Sequence, residues 1–209
     1  MTAIDARSAP VAPAPVIHPR WVRITHWINA VAMLVMIGSG WEIYTASPLP
    51  IFPVELPKSI TLGGGLPGAL AWHFAAMWII FINGITYVTL GIVSGRFRAK
   101  LFPIRPREVV ADLGAALRGK LAHDDLSVYN AVQRLLYVGV ICAGVVIVLS
   151  GLSIWKPVQL QELTALFGGY DAARYVHFFA MATIVAFLVV HVLLALIVPK
   201  SLRAMIVGK

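Results

Sequence analysis

Residues 172–198 form an apolar run of membrane length that carries two histidines, His177 and His191. About 20 helical residues cross the hydrocarbon core of a bilayer, so the run predicts a spanning helix. The histidines lie fourteen positions apart, which is ~21 Å of helical rise and about 40° short of four full turns. Both imidazoles therefore leave one face, one near each end. Ionisable groups inside a membrane are rare and usually functional. Two imidazoles in register predict two metal centres stacked across the membrane, with the opposite ligands supplied by the rest of the chain.

Three further runs have spanning length, at residues 22–44, 70–93 and 130–154. With 59% hydrophobic and 12% charged residues, the 209-residue chain lies far from a soluble globular composition. The predicted fold is an all-α membrane protein, a bundle of four transmembrane helices enclosing its cofactors. Residues 46–69 are rich in Pro and Gly and read as a loop. Residues 107–122 read as a short amphipathic helix on the membrane surface, with Val109, Val110, Leu113 and Leu117 on one side. No internal repeat is obvious, and the chain reads as one domain over residues 20–199. An Ala/Pro-rich tail at 1–19, expected to be disordered, precedes it, and a basic tail at 200–209 follows.

Charge placement predicts the topology. Fourteen of the seventeen Lys and Arg residues fall in the N-terminal tail, the second connection with the start of the third span, and the C-terminus; Lys58, Lys156 and Arg174 fall on the other side. The positive-inside rule then puts both termini in the cytoplasm. This accounts for the net charge of +8 without a nucleic-acid partner.

Of six histidines, His18 lies in the Pro-rich tail and His123 in the polar second connection, and both read as solvated. Depth pairs the other four. His26 opens the first span and His191 lies near the end of the fourth, both on the cytoplasmic side. His73 opens the second span and His177 the fourth, both on the outer side. His26 can thus face His191 across an inner site, and His73 can face His177 across an outer one. The single cysteine, Cys142, excludes a CxxC motif, an iron–sulfur site and an intrachain disulfide. No CxxCH motif is present to attach haem covalently. Two imidazoles saturate the iron of a non-covalent haem b, which favours electron transfer over oxygen chemistry. Each ring would keep its second N–H for an acceptor, which the sequence does not identify. Zinc is a weaker reading, because no compact His/Cys/Asp/Glu cluster is visible. Arg20, Arg23 and Arg174 lie near these histidines and can pair with propionates or with lipid headgroups.

The stretches "RITHW", "LAWHF" and "VHFFAMATIVAFLVVH" resemble the bacterial four-helix di-haem cytochrome b family, which includes the cytochrome subunits of nickel–iron hydrogenase, formate dehydrogenase and thiosulfate reductase. The resemblance spans about residues 19–199. It implies two haem b groups, one held by His26 with His191 and one by His73 with His177. The third span opens with "VYNAVQRLLY", similar to a "YNAGQK" stretch where a quinone binds in the formate dehydrogenase membrane subunit. The matching positions are Tyr129, Asn130, Gln133 and Arg134, with Val132 in place of Gly and Arg134 in place of Lys. The resemblance further implies a bacterial inner-membrane subunit that passes electrons between quinone and a redox protein on the periplasmic side, such as a molybdenum-cofactor oxidoreductase. Two rivals stay open. One is a free-standing membrane redox enzyme, such as a superoxide:quinone oxidoreductase. The other is a haem-free proton-coupled transporter that uses the histidines as a relay.

Overall fold

The computed structural model describes residues 16–119 and 128–208. Four helices are long and apolar enough to cross a membrane: α1 (Arg20–Ala46), α2 (Leu66–Val93), α5 (Ala131–Trp155) and α7 (Tyr170–Ile197). Each lies within a few residues of its predicted span. Four short helices connect or flank them: α3 (Arg96–Leu101), α4 (Pro106–Ala116), α6 (Gln161–Leu166) and α8 (Pro199–Val207). Of these, only α4 is expected from the sequence, and it ends at Ala116, earlier than its amphipathic pattern suggests. Val110, Leu113 and Leu117 are exposed along it, the apolar face of a surface helix.

The long helices pack as two hairpins, α1 on α2 and α5 on α7, and these hairpins touch each other only sparsely. The seams are built from small residues. Ala69 and Ala76 on α2, and Ala173 and Ala180 on α7, are all buried. Removing side-chain bulk lets helix backbones approach closely, which is how association proceeds where lipid offers no hydrophobic drive. Large residues such as Leu34, Ile82, Val145 and Leu193 point outward, as a lipid solvent permits.

Contrary to the expectation of no repeat, the hairpins share one residue pattern. In α2, Ala69, His73, Phe74, Ala76, Met77 and Ile80 follow the same spacing as Ala173, His177, Phe178, Ala180, Met181 and Ile184 in α7. In α1, Val35, Ser39, Gly40, Ile43 and Tyr44 match Val146, Ser150, Gly151, Ile154 and Trp155 in α5. The contacts repeat as well. Phe74 meets Trp155 at 5.2 Å between ring centres, and Phe178 meets Tyr44 at 5.2 Å. Each contact joins one hairpin to the other, so the halves are related by an approximate two-fold axis running along the helices. Membrane proteins built of parallel repeats have this geometry.

The ends are tied differently. At one end the chain between α1 and α2 folds back, with the Leu62 N–H donating to Gly38 O at 3.0 Å and the Thr61 hydroxyl bonding the Glu42 carboxylate. Leu62 Cβ would lie 3.2 Å from a β-carbon at Gly38, so a glycine suits this crossing. At the opposite end α8 docks on the start of α1. Arg23 Nη1 donates to Ile206 O at 2.5 Å, Trp27 Nε1 to Met205 O at 3.4 Å, and the Ile17 N–H to Gly208 O at 2.9 Å.

Candidate cofactor and quinone sites

The structure brings the four intramembrane histidines together as two pairs at two depths. His26 and His191 lie 6.0 Å apart between ring centres, inclined at 64°. With metal–nitrogen distances of about 2 Å on each side, imidazoles on opposite faces of one metal have ring centres roughly 6 Å apart. Phe187 stacks on His191 at 5.5 Å and 15°, while Trp27 meets His26 edge-on at 5.3 Å.

At the other depth, His73 and His177 occupy the same position, eight residues into two 28-residue helices, and interact electrostatically across the axis. The surroundings of their Nδ1 atoms match. His73 Nδ1 lies 3.0 Å from Ser39 Oγ, and the His73 ring also bonds the Met36 backbone. His177 Nδ1 lies 3.1 Å from Ser150 Oγ and 3.1 Å from Ile147 O. A carbonyl only accepts, so Nδ1 carries the ring proton. That leaves the Nε2 lone pair of each ring for a metal. The acceptors that sequence reasoning missed are therefore Ser39 and Ser150. The visible signal was the repeated Val-x3-Ser-Gly spacing, but only the packing shows what it faces.

These features fit haem b, which needs two axial nitrogens and a flat apolar slot. The hairpins make few contacts with each other, so a flat group between them would displace little packing. Gly40 and Gly151 border the imidazoles, since a β-carbon there would come within 3.4 Å of His73 Cε1 and 3.1 Å of His177 Cε1. Among the described residues no cluster of three or more His, Cys, Asp or Glu side chains could hold a bare metal ion. His123 lies outside the described residues.

His18 differs from its expectation. It is 7% exposed and accepts from Arg96 Nη2 at 3.3 Å through Nδ1, because residues 17–23 are clamped by α8. Burial, then the Arg96 guanidinium, push its pKa down to about 4. It is a neutral, buried group rather than a solvated one.

The predicted quinone residues gather at the start of α5. Asn130 and Gln133 form a reciprocal helix cap. Asn130 Oδ1 accepts from the Gln133 N–H at 2.7 Å, and Gln133 Oε1 accepts from the Asn130 N–H at 3.1 Å. Arg134 donates to Tyr129 O and to Pro103 O, each at 3.0 Å. Tyr129, Asn130 and Arg134 line an open cleft of about 290 Å³ against Glu108 and Asp112 of α4, and Gln133 sits outside that lining. Burial raises the Tyr129 phenol above its usual range, while the Arg96 guanidinium bonded to it pulls the other way. From Tyr129 a file of rings leads inward. Tyr129 meets Tyr137 at 5.1 Å, Tyr137 meets Phe187 at 6.5 Å, and Phe187 covers His191.

Comparison with known proteins agrees with this architecture. The family model described as prokaryotic cytochrome b561 matches residues 17–208. A protein of Azospira oryzae named "putative protein-methionine-sulfoxide reductase subunit YedZ1" is 55% identical over 192 residues, 92% of this chain and 96% of its own length.

Proposed function

We propose a function from a fixed premise: the chain belongs to the prokaryotic cytochrome b561 family. It is accordingly a multi-pass bacterial membrane cytochrome b with b-type haem, acting in electron transport. Within that frame the protein is a two-haem relay. His26 with His191 hold one haem near the end where both termini lie, and His73 with His177 hold the other near the opposite end. The observation that carries this reading is the pairing of four intramembrane histidines at two depths. A relay of protons alone would not need imidazoles arranged as opposed pairs.

Haem held by these histidine pairs would supply one-electron centres. The chain does the rest. Ser39 and Ser150 hold the Nδ1 protons, so each Nε2 faces the slot between the hairpins. The apolar helix faces exclude water from that slot. At the terminal end, taken as cytoplasmic from the charge bias, the cleft of Tyr129, Asn130 and Arg134, with Gln133 capping the helix beside it, receives a quinol. Hydrogen bonds from these groups orient its ring, and the file through Tyr137 and Phe187 shortens the gap to His191. Two electrons and two protons leave the quinol, the protons on the terminal side. Electrons exit at the opposite, periplasmic end to a redox protein. The relative's name supports a partner that reduces methionine sulfoxide in proteins, a two-electron reaction suited to a molybdenum-cofactor oxidoreductase.

Two experiments test this. The reduced protein should show the sharp α band of bis-histidine b haem at two haems per chain; a spectrum without it sinks the reading. His73→Ala and His177→Ala should each cost the same single haem, and His26→Ala and His191→Ala the other. Loss in crossed pairs overturns the assignment.

A further inference from the structure

We propose that Ser39 and Ser150 are a matched pair of positioning residues for the outer haem, each fixing the proton and the plane of one axial imidazole. The inference rests on the reading that His73 and His177 share one haem.

The geometry is specific. Each serine sits one turn after a carbonyl that the imidazole also reaches, Met36 before Ser39 and Ile147 before Ser150. Those carbonyls already take the helical bond from the residue four positions on, so their capacity is shared. Each serine spends its own proton on the preceding turn, Ser39 Oγ on Val35 O at 2.6 Å and Ser150 Oγ on Val146 O at 2.7 Å. A hydroxyl that has donated its proton presents only lone pairs. It can therefore accept from Nδ1–H and cannot compete by donating, which excludes the tautomer that would put the proton on Nε2. Both serines are fully buried, so water does not replace them.

The next residue completes the device. Gly40 and Gly151 leave the flank of each ring open, and a β-carbon at Gly151 would press His177 Cε1 at 3.1 Å. Serine thus pulls each ring in from one side while glycine lets it lie flat against the neighbouring helix. The inner pair is held otherwise, by ring contacts with Phe187 and Trp27. A hydrogen-bonded Nδ1–H makes the ligating nitrogen more basic and so favours the ferric iron. The two haems should then respond differently to loss of these hydroxyls: one shifts and the other does not.

The test uses the full-length haem-loaded protein with Ser39→Ala, Ser150→Ala and the double variant. Both haems should stay bound. The outer haem should become easier to reduce, with the reduced-to-oxidised ratio at the parental midpoint rising by up to roughly fivefold per bond, the limit set by a whole bond of ordinary strength. Its low-spin ferric EPR signal should move, and the inner haem should keep both its potential and its signal. Ser150→Thr, which retains the hydroxyl, should restore the parental potential. Gly151→Ala should shift the EPR signal with the hydroxyl intact, and it reports ring orientation even where a serine variant folds poorly. Unchanged potential and signal in both serine variants overturn the proposal, as does a shift confined to the haem that His26→Ala removes. If His73→Ala and His177→Ala remove different haems, the ligand reading itself fails, independently of the serines.

Discussion

At the scale of single residues, a histidine's role here follows from what its second nitrogen touches. His73 and His177 donate hydrogen bonds from Nδ1 to oxygen acceptors, whereas His18 accepts one from Arg96 at the same atom. His18 is thereby locked neutral. Its pKa falls from 6.5 to about 4 on burial, so between those values the unfolded segment binds more protons than the packed one. Stability therefore rises with pH across that window, is fully present above 6.5, and is lost as pH falls through it toward 4. Acidification from pH 7 to 4 should loosen the clamp of residues 17–23 on α8. Faster amide exchange at Ile17 and Gly208 would report it, and His18→Gln should flatten the dependence. No such dependence in the parent chain would contradict the buried, neutral assignment.

At the scale of elements, the four spanning helices and the depth of each histidine were legible because both depend on local pattern: apolar length, and rise per residue. The seams, the serines and the burial of His18 were not, because each depends on which helix lies next to which. The repeat is hidden in the sequence for a related reason. Its matching residues are scattered at helical spacing, and the links joining the matched segments differ in length, so no contiguous identity stands out. The start of α5 shows how one element serves two ends. Asn130 and Gln133 were singled out for quinone, and they also close the helix with a capping box. Asn130→Ala should cost about 1 kcal/mol of stability from the lost cap. Gln133→Glu should keep it, since Glu serves the same box, while placing a charge beside the cleft. Quinol turnover in Gln133→Glu should fall several-fold with the thermal midpoint nearly unchanged. If turnover is unaffected there, and falls in Asn130→Ala only with stability, Gln133 and Asn130 act as caps alone.

At the scale of the whole molecule, the duplication is incomplete in one informative place. The α5 position that corresponds to His26 is Tyr137, and the α2 position that corresponds to His191 is Tyr87. One inner site thus carries two imidazoles, and its counterpart carries two phenols beside Tyr129 and Arg96. This asymmetry gives the end where both termini lie a histidine side and a tyrosine side, with the file through Phe187 between them. Replacing Tyr137 with Phe should leave both haems in place and slow quinol-driven haem reduction; an unchanged rate would remove the file from the path. The sparse contact between hairpins has a consequence for how such a protein is made. Each hairpin has its own tight seam, while the two are tied to each other mainly at their ends, by α8 on α1 and by Arg174 on Ser47 beside the ring contacts. Pigment would then act as mortar along the middle of the bundle, where the halves have little else to hold. Two fragments divided between α4 and α5 and made together should rebuild the parental spectrum when haem is supplied, and hold together more weakly when it is withheld; equal association in both conditions would refute the mortar.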